Sequence, residues 1–492
     1  MKKFPRIFKN KYVRICVLAA VFLFTFMLRA HNYERVPSPN HLDEQLYAWS
    51  GLYLIETGTP VSWSTLDYPA RSNVFEGVIS YKGGEPSASV VLHKPWLDEP
   101  PLFSLLVGSV AHLYKADRTQ FVPSSYIRIP TVVIAGLTSL VVFAIAALTG
   151  GFWTGILAMF FYGTVPIFVL GSRVAMPENV IGFLFSISVL LLLLFEKKGQ
   201  FRYILPIPIL AGIAGLSKPT GYFIMPLAAY FVFKKLYDEK KVSQALKYTA
   251  YLVIALLPFV GVYFWYGIHF DKEIFWLINS IQGSRPAGFG SLAFFLTTPS
   301  IGTAVLRDSW YIFGLVSALF FILFAQDKNR RFIVLAFVYW VLIVVLSGGE
   351  NDLLAWYRFP VFPMLSILLT WGIQYVVQKA DFFASFIAVG LLLGNRRLLV
   401  NAFRPNLPVG EFRLLFMGLM APSLLNTIFN KKFLTNISRV VIIAVIIAGV
   451  IINVQFVYNA FEIECENITC PMVPTTLLST FHLPVLWRLL VR

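Results

Sequence analysis

Residues 127–150 read IRIPTVVIAGLTSLVVFAIAALTG. From Ile129 to Gly150 no side chain ionises, and at a helical rise of about 1.5 Å per residue such a run crosses a hydrocarbon core about 30 Å thick. Comparable runs begin near Val13, Phe152, Val180, Tyr203, Gly221, Tyr248, Trp310, Phe332, Phe359, Phe382, Phe412 and Val440. The expectation is an all-α polytopic membrane protein with about 13 transmembrane helices. A membrane barrel would instead show alternating segments of about ten residues.

The composition agrees. Of 492 residues, 57% are hydrophobic and 13% charged, where a soluble domain carries about a quarter charged residues. So few charges cannot cover a water-facing surface, and disorder, coiled coil and collagen-like fibre are excluded with it. The net charge of +16 is spread in short basic clusters between apolar runs, so nucleic acid is not a partner. Three cysteines make no disulfide scaffold. Cys465 and Cys470 bracket Glu466-Asn467-Ile468-Thr469; they form a small disulfide if that tail faces an oxidising compartment and stay free thiols otherwise.

Lys2, Lys3, Arg6, Lys9, Lys11 and Arg14 precede the first run, Val13 to Leu28, which reads as an uncleaved signal anchor with a cytoplasmic N-terminus. Lys197-Lys198-Arg202, Lys234-Lys235 with Lys240-Lys241, Lys328-Arg330-Arg331 and Lys431-Lys432 fall on that same side; Arg396-Arg397 is the exception. The outer face then holds a loop over 30–126, a loop over 267–309 and a tail from 459. The first loop contains two helical stretches. Leu42 to Ile55 carries the stripe Leu42, Leu46, Trp49, Tyr53, and Pro101 to Tyr114 is too short to cross and fits a helix on the membrane surface. No soluble globular domain is expected.

Ionisable groups at membrane depth cost about 2.5–3.5 kcal/mol each, so those outside the cytoplasmic clusters need a reason. They are Asp43-Glu44, Asp98-Glu99, Arg128, Arg173, Glu178, Lys218, Arg285 and Arg358, all on or near the expected outer interface. Snorkelling explains some. Asp43 and Glu44 follow Asn40, a helix N-cap residue, and sit in a first turn, where dipole compensation is the ordinary role. An ionised acid at the membrane surface also accepts a proton from a hydroxyl or binds a cation. Glu178 follows the helix-breaking Pro177; it either pairs with Arg173 or faces a cavity shared with Asp43. Lys218 sits in Gly215-Leu216-Ser217-Lys218-Pro219-Thr220-Gly221, an interrupted turn suited to an anion. Arg285 in Gln282-Gly283-Ser284-Arg285-Pro286 and Arg358 in Trp356-Tyr357-Arg358-Phe359-Pro360 add bidentate phosphate binders. Acids and cations facing one outer cavity read as a base plus a phosphate site.

In order, these elements resemble the GT-C superfamily of membrane glycosyltransferases, in particular its protein O-mannosyltransferase and aminoarabinose-transferase branch. The likeness is carried by the acid pair after the first span, the Pro100-Pro101 helix, Ile127-Arg128-Ile129-Pro130, the Arg173 to Glu178 hairpin and the Gly215 to Gly221 turn. It covers roughly the first 235 residues. The resemblance implies a catalytic transmembrane module over 1–235 with the loop 30–126, a variable transmembrane module over 236–458 with the loop 267–309, and a short outer tail over 459–492. It implies Asp43, with Glu44 beside it, as catalytic base and Glu178 as second acidic site. Lys218, Arg285, Arg358 and Tyr357 would bind the donor phosphate. The resemblance implies Lys94, Glu99 and Arg128 as further substrate contacts, although in Asp98-Glu99-Pro100-Pro101-Leu102 an acid stands where the family carries a basic residue before the Pro pair, and Lys94 would substitute for it.

The implied activity is transfer of a sugar from a polyprenyl-phosphate donor to an acceptor hydroxyl on the outer face, with inversion. The implied partners are that donor, a protein, lipid or glycan acceptor, and membrane lipids. No cofactor is expected: Asp43 and Glu178 could chelate a divalent metal, but the resemblance favours metal independence. The competing reading is a transporter or flippase of lipid-linked glycans, which would ordinarily show inverted repeats around a midplane site. Neither the sugar nor the acceptor is legible in the sequence.

Overall fold

The computed structural model describes residues 10–37, 42–81, 84–286, 288, 290–296, 300–301, 304–305, 308–325, 327–348, 355–393 and 409–459. Asn40, Arg396-Arg397, both tail cysteines and the Asn467 triplet lie outside these residues. The helices run in the order α1 (Lys11–Ala30), α2 (Leu42–Thr57), α3 (Pro101–Leu113), α4 (Ser124–Ile127), α5 (Ile129–Gly150), α6 (Phe152–Thr164), α7 (Pro166–Arg173), α8 (Pro177–Lys198), α9 (Ile207–Ser217), α10 (Ile224–Asp238) and α11 (Val242–Gly283). They continue as α12 (Gly290–Leu296), α13 (Ser309–Phe324), α14 (Lys328–Ser347), α15 (Phe362–Lys379), α16 (Phe382–Leu393), α17 (Val409–Phe429) and α18 (Lys432–Asn459).

Every apolar run read from the sequence is helical. Among the described residues 7 helices are long and apolar enough to cross a membrane, or up to 8 if α6 and α7, bent by 65°, make one span. Several of the others are 10–17-residue helices, so the structure does not reproduce the count of about thirteen full crossings. The chain is a multi-pass membrane protein by length and composition of these helices. The bend between α6 and α7 falls at Pro166, and the Asp308 carboxylate accepts from Ile167 N (2.9 Å) as well as from Trp310 N (2.8 Å), so one acid caps two helix starts.

α8 fixes the scale. Glu178 stands in its first turn and Lys197 and Lys198 in its last, about 30 Å apart by helical rise. At the lysine end, Lys197 Nζ donates to Leu148 O (2.5 Å), Lys235 Nζ to Glu196 O (2.6 Å), and Lys328 pairs with Glu196. Arg14 of α1 lies over the Phe152 ring, 5.2 Å from its centroid. The basic clusters thus gather at one end of the bundle.

At the other end the first loop is built on α2 and α3. They touch backbone to backbone: a Cβ on Gly51 would stand 1.9 Å from Ser104 O, and one on Gly108 would stand 2.4 Å from Gly51 C. α2 is buried nearly all round from Glu44 to Leu52, so it is a core helix rather than an amphipathic one. α3 buries Phe103, Val107 and Ala111 in the same core. Between them lies an antiparallel sheet of β1 (Ser62–Trp63), β2 (Asn73–Tyr81) and β3 (Gly84–His93) in the order β1-β3-β2, which the sequence reading did not expect. The second outer segment also differs: α11 continues to Gly283 through a break at Asp271 (φ −165°, ψ 108°). The Asp271 carboxylate accepts from Glu273 N (2.9 Å) and Ile274 N (3.0 Å) and so restarts the helix inside what read as loop.

Candidate active site

A cavity of about 600 Å³ opens between the first loop, the start of α8, the turns that follow α9 and precede α15, and the ends of α11 and α14. Asp43, on the first turn of α2, lines it and is half-buried. Glu99, Glu178, Lys218, Arg285 and Tyr357 line it too. Six stretches distant in sequence therefore converge.

Lys218 organises the polar wall. Its Nζ lies 2.7 Å from Glu178 Oε1 and 3.5 Å from Glu99 Oε1, and 4.5 Å from the centroid of the Tyr357 ring. Arg285 Nη1 donates to Tyr357 Oη at 3.3 Å. Glu178 thus pairs with Lys218, whereas Arg173 donates to the carbonyls of Arg29 (3.0 Å), Val36 (3.0 Å) and Leu28 (2.8 Å). The Lys218 turn is closed by Gly221 N donating to Lys218 O at 2.8 Å.

Asp98, not assigned a role from sequence, also reaches the cavity. Ser64 Oγ donates to its Oδ2 (2.6 Å), Tyr68 Oη to its Oδ1 (2.7 Å), and Gln282 Nε2 to its carbonyl (2.7 Å), which ties α11 to the first loop. Burial pushes the Asp98 carboxyl up to about 6 against the pull of Ser64 and Tyr68. Burial likewise pushes Glu99 up to about 7; Lys218 opposes the rise, and Glu178 and Asp98 add to it.

Four expected contacts lie elsewhere. Glu44 faces away from Asp43 on α2 and is fully buried against Arg128: Arg128 Nε donates to Glu44 Oε1 (2.8 Å) and Nη2 to Oε2 (2.5 Å). Ala175 N donates to the same Oε1 (2.7 Å), and Arg128 Nη1 donates to Tyr33 O and Pro37 O. Glu44 is therefore corrected from catalytic neighbour to a joint holding α2, the start of α5 and the segment before α8, and Arg128 from substrate contact to its partner. Arg358 is buried off the cavity wall, with Tyr311 as a side-chain partner, because the 3-10 turn Ala355–Val361 points consecutive side chains apart and gives the wall to Tyr357. Lys94 is exposed at the end of the sheet and does not line the cavity. Of the residues missed, Trp356 stood inside a quoted motif and Trp96 lies two residues after Lys94. Trp340, Ile343 and Val344 gave no signal, since in an apolar span every face reads alike.

The chain matches one family model, dolichyl-phosphate-mannose-protein mannosyltransferase, over residues 98–265. Among solved structures it is similar to ArnT from Cupriavidus metallidurans in the apo state (12% identity, 91% of this chain and 76% of that chain, TM-score 0.52). It is similar to the arabinosyltransferase EmbB from Mycobacterium smegmatis as well (11% identity, 93% of this chain and 42% of that chain, TM-score 0.54). The chain has the GT-C fold. It is similar also to the oligosaccharyltransferase AglB from Archaeoglobus fulgidus (14% identity, 87% of this chain and 56% of that chain, TM-score 0.45), and so spans little more than half the length of that protein. No curated protein matches the sequence significantly.

Proposed function

We propose that this chain is an integral membrane glycosyltransferase that moves a sugar from a polyprenyl-phosphate donor to an acceptor hydroxyl on the non-cytoplasmic face. One arrangement carries the reading: a carboxylate, Asp43, and two cations, Lys218 and Arg285, line the same cavity at the end of the bundle opposite the basic clusters. With the basic end cytoplasmic, as the loop charges favour, the cavity opens outward. The family model's name and an ArnT structure bound to undecaprenyl phosphate support a lipid-linked donor.

Asp43 takes the proton of the acceptor hydroxyl as its oxygen attacks the anomeric carbon. The bond from that carbon to the phosphate oxygen breaks, and polyprenyl phosphate leaves with the electron pair. Lys218 and Arg285 stabilise the growing charge on the phosphate, and Tyr357 holds Arg285 in place. A base on one side and the leaving group on the other give inversion. Asp98 and Glu178 provide hydrogen-bond acceptors for the sugar, and Trp96 and Trp356 supply the aromatic part of the wall. Metal independence is part of the proposal, since Glu178 Oε1 is already held by Lys218. Transfer in excess chelator should equal transfer without it; restoration of a lost rate by magnesium or manganese would overturn this part.

The test is transfer by purified full-length protein from a panel of labelled polyprenyl-phosphate sugars. Glycosylated product supports the reading. Movement of intact lipid-linked sugar across a vesicle membrane without cleavage would establish the transporter instead.

A further inference from the structure

We propose that Glu99 gates the phosphate site, so that a phosphodiester reaches Lys218 only when Glu99 carries a proton and binding takes up one proton. This rests on the reading of the cavity as a donor site. An ammonium group has three N–H donors. Those of Lys218 face Glu178 Oε1 at 2.7 Å, Glu99 Oε1 at 3.5 Å and the Tyr357 ring at 4.5 Å, so an anion must displace one of these partners. Two carboxylates around one ammonium leave the cluster negative, and its members are 3–12% exposed, where a second anion is strongly repelled. Glu178 is the closer partner and keeps its hold; Glu99 is the one to yield.

Glu99 is built to take the proton. Its Oε2 is buried and has no hydrogen-bond partner, while Oε1 faces Lys218. A proton on Oε2 removes the carboxylate's charge, and with it the repulsion that keeps a phosphate from Lys218. The groups around Glu99 agree in sign. Glu178 on α8 and Asp98 beside it interact unfavourably with its charge, Lys218 at the end of α9 is the opposing cation, and Tyr47 on α2 and Tyr263 on α11 face it as neutral hydroxyls whose ionisation it opposes. Arg285 acts on the neighbouring Asp98. The resulting ionisation range, near neutral pH, is where such a gate would operate.

The probe is a short-chain prenyl methyl phosphodiester, which carries one charge and does not ionise near neutral pH. Calorimetric titration of the full chain in lipid nanodiscs, over pH 6–9 and in buffers of different ionisation heat, reads affinity and proton uptake together. The wild type should lose affinity about tenfold per pH unit above about 7, with close to one proton taken up per ligand at pH 8. Glu99→Gln should bind equally well across the range with no uptake. Wild-type affinity independent of pH, or a slope surviving in Glu99→Gln, overturns the gate while leaving the donor site standing. The proton count is measured on the wild type, so it decides the matter even if the variant fails to fold. Failure of the wild type to bind at any pH removes the donor reading, and the gate with it.

Discussion

Asp43 and Glu44 are neighbours in sequence with opposite predicted phenotypes. Glu44 is 0% exposed and accepts from Arg128 Nε, Arg128 Nη2 and Ala175 N. Glu44→Ala strands the Arg128 guanidinium, itself 0% exposed, with backbone carbonyls as its remaining partners described here. Removing one member of a buried pair costs about 3–5 kcal/mol, a large share of a typical folding stability of about 5–15 kcal/mol. Asp43→Asn keeps the shape of a half-buried side chain and loses about 0.3–1 kcal/mol of favourable interaction with the start of α2. It removes the proposed base, however, and should slow transfer by about 10²–10⁴-fold. Both variants and the wild type are purified in one detergent, melted by intrinsic fluorescence and assayed for turnover. Glu44→Ala should melt far lower or fail to accumulate, and Asp43→Asn should melt near wild type while nearly inactive. A Glu44→Ala protein as stable as wild type, or an Asp43→Asn protein with near-normal turnover, would refute the division of roles.

Lys218→Met should reduce transfer by about 10²–10³-fold, as loss of one charge-stabilising donor does, and lower the melting temperature because Glu178 and Glu99 lose their cation. Adding Glu178→Gln should recover stability and not transfer, which the two assays above report separately. Arg358→Gln should lower the melting temperature and leave phosphodiester affinity within about twofold, since the guanidinium is 1% exposed and off the cavity wall; a large affinity loss at unchanged melting would return Arg358 to the donor site. The raised Glu99 carboxyl makes the folded state bind more protons than the unfolded state between about 4.5 and 7, so wild-type stability falls as pH rises through that window. The melting temperature of Glu99→Gln should fall less between pH 5 and pH 8.

The helices were legible because runs such as Ile129–Gly150 admit one solution in a bilayer. Their number as full crossings was not, because hydropathy sees composition and not the length of unbroken helix: Pro166 splits one run, and α9 and α10 are short. The sheet of the first loop was hidden among Gly, Pro and Ser breakers, and the alternate positions Val74, Glu76, Val78 and Ser80 of β2 mix apolar with polar side chains, so no period-two pattern marked it. Charges out of place pointed to most of the polar cavity wall, since an ionisable group at membrane depth stands out in any register. The same signal could not sort the wall from the scaffold. Asp43 and Glu44, or Tyr357 and Arg358, differ only by the turn of a helix, and that turn sends one to the cavity and its neighbour to a buried partner.

A structure of the protein with a donor analogue whose sugar–phosphate bond resists cleavage tests the central claim most directly. The account predicts the phosphate within hydrogen-bond reach of Lys218 and Arg285, with the anomeric carbon between it and the Asp43 carboxylate. A phosphate held elsewhere on the chain, or a sugar with Asp43 on the leaving-group side, would contradict it.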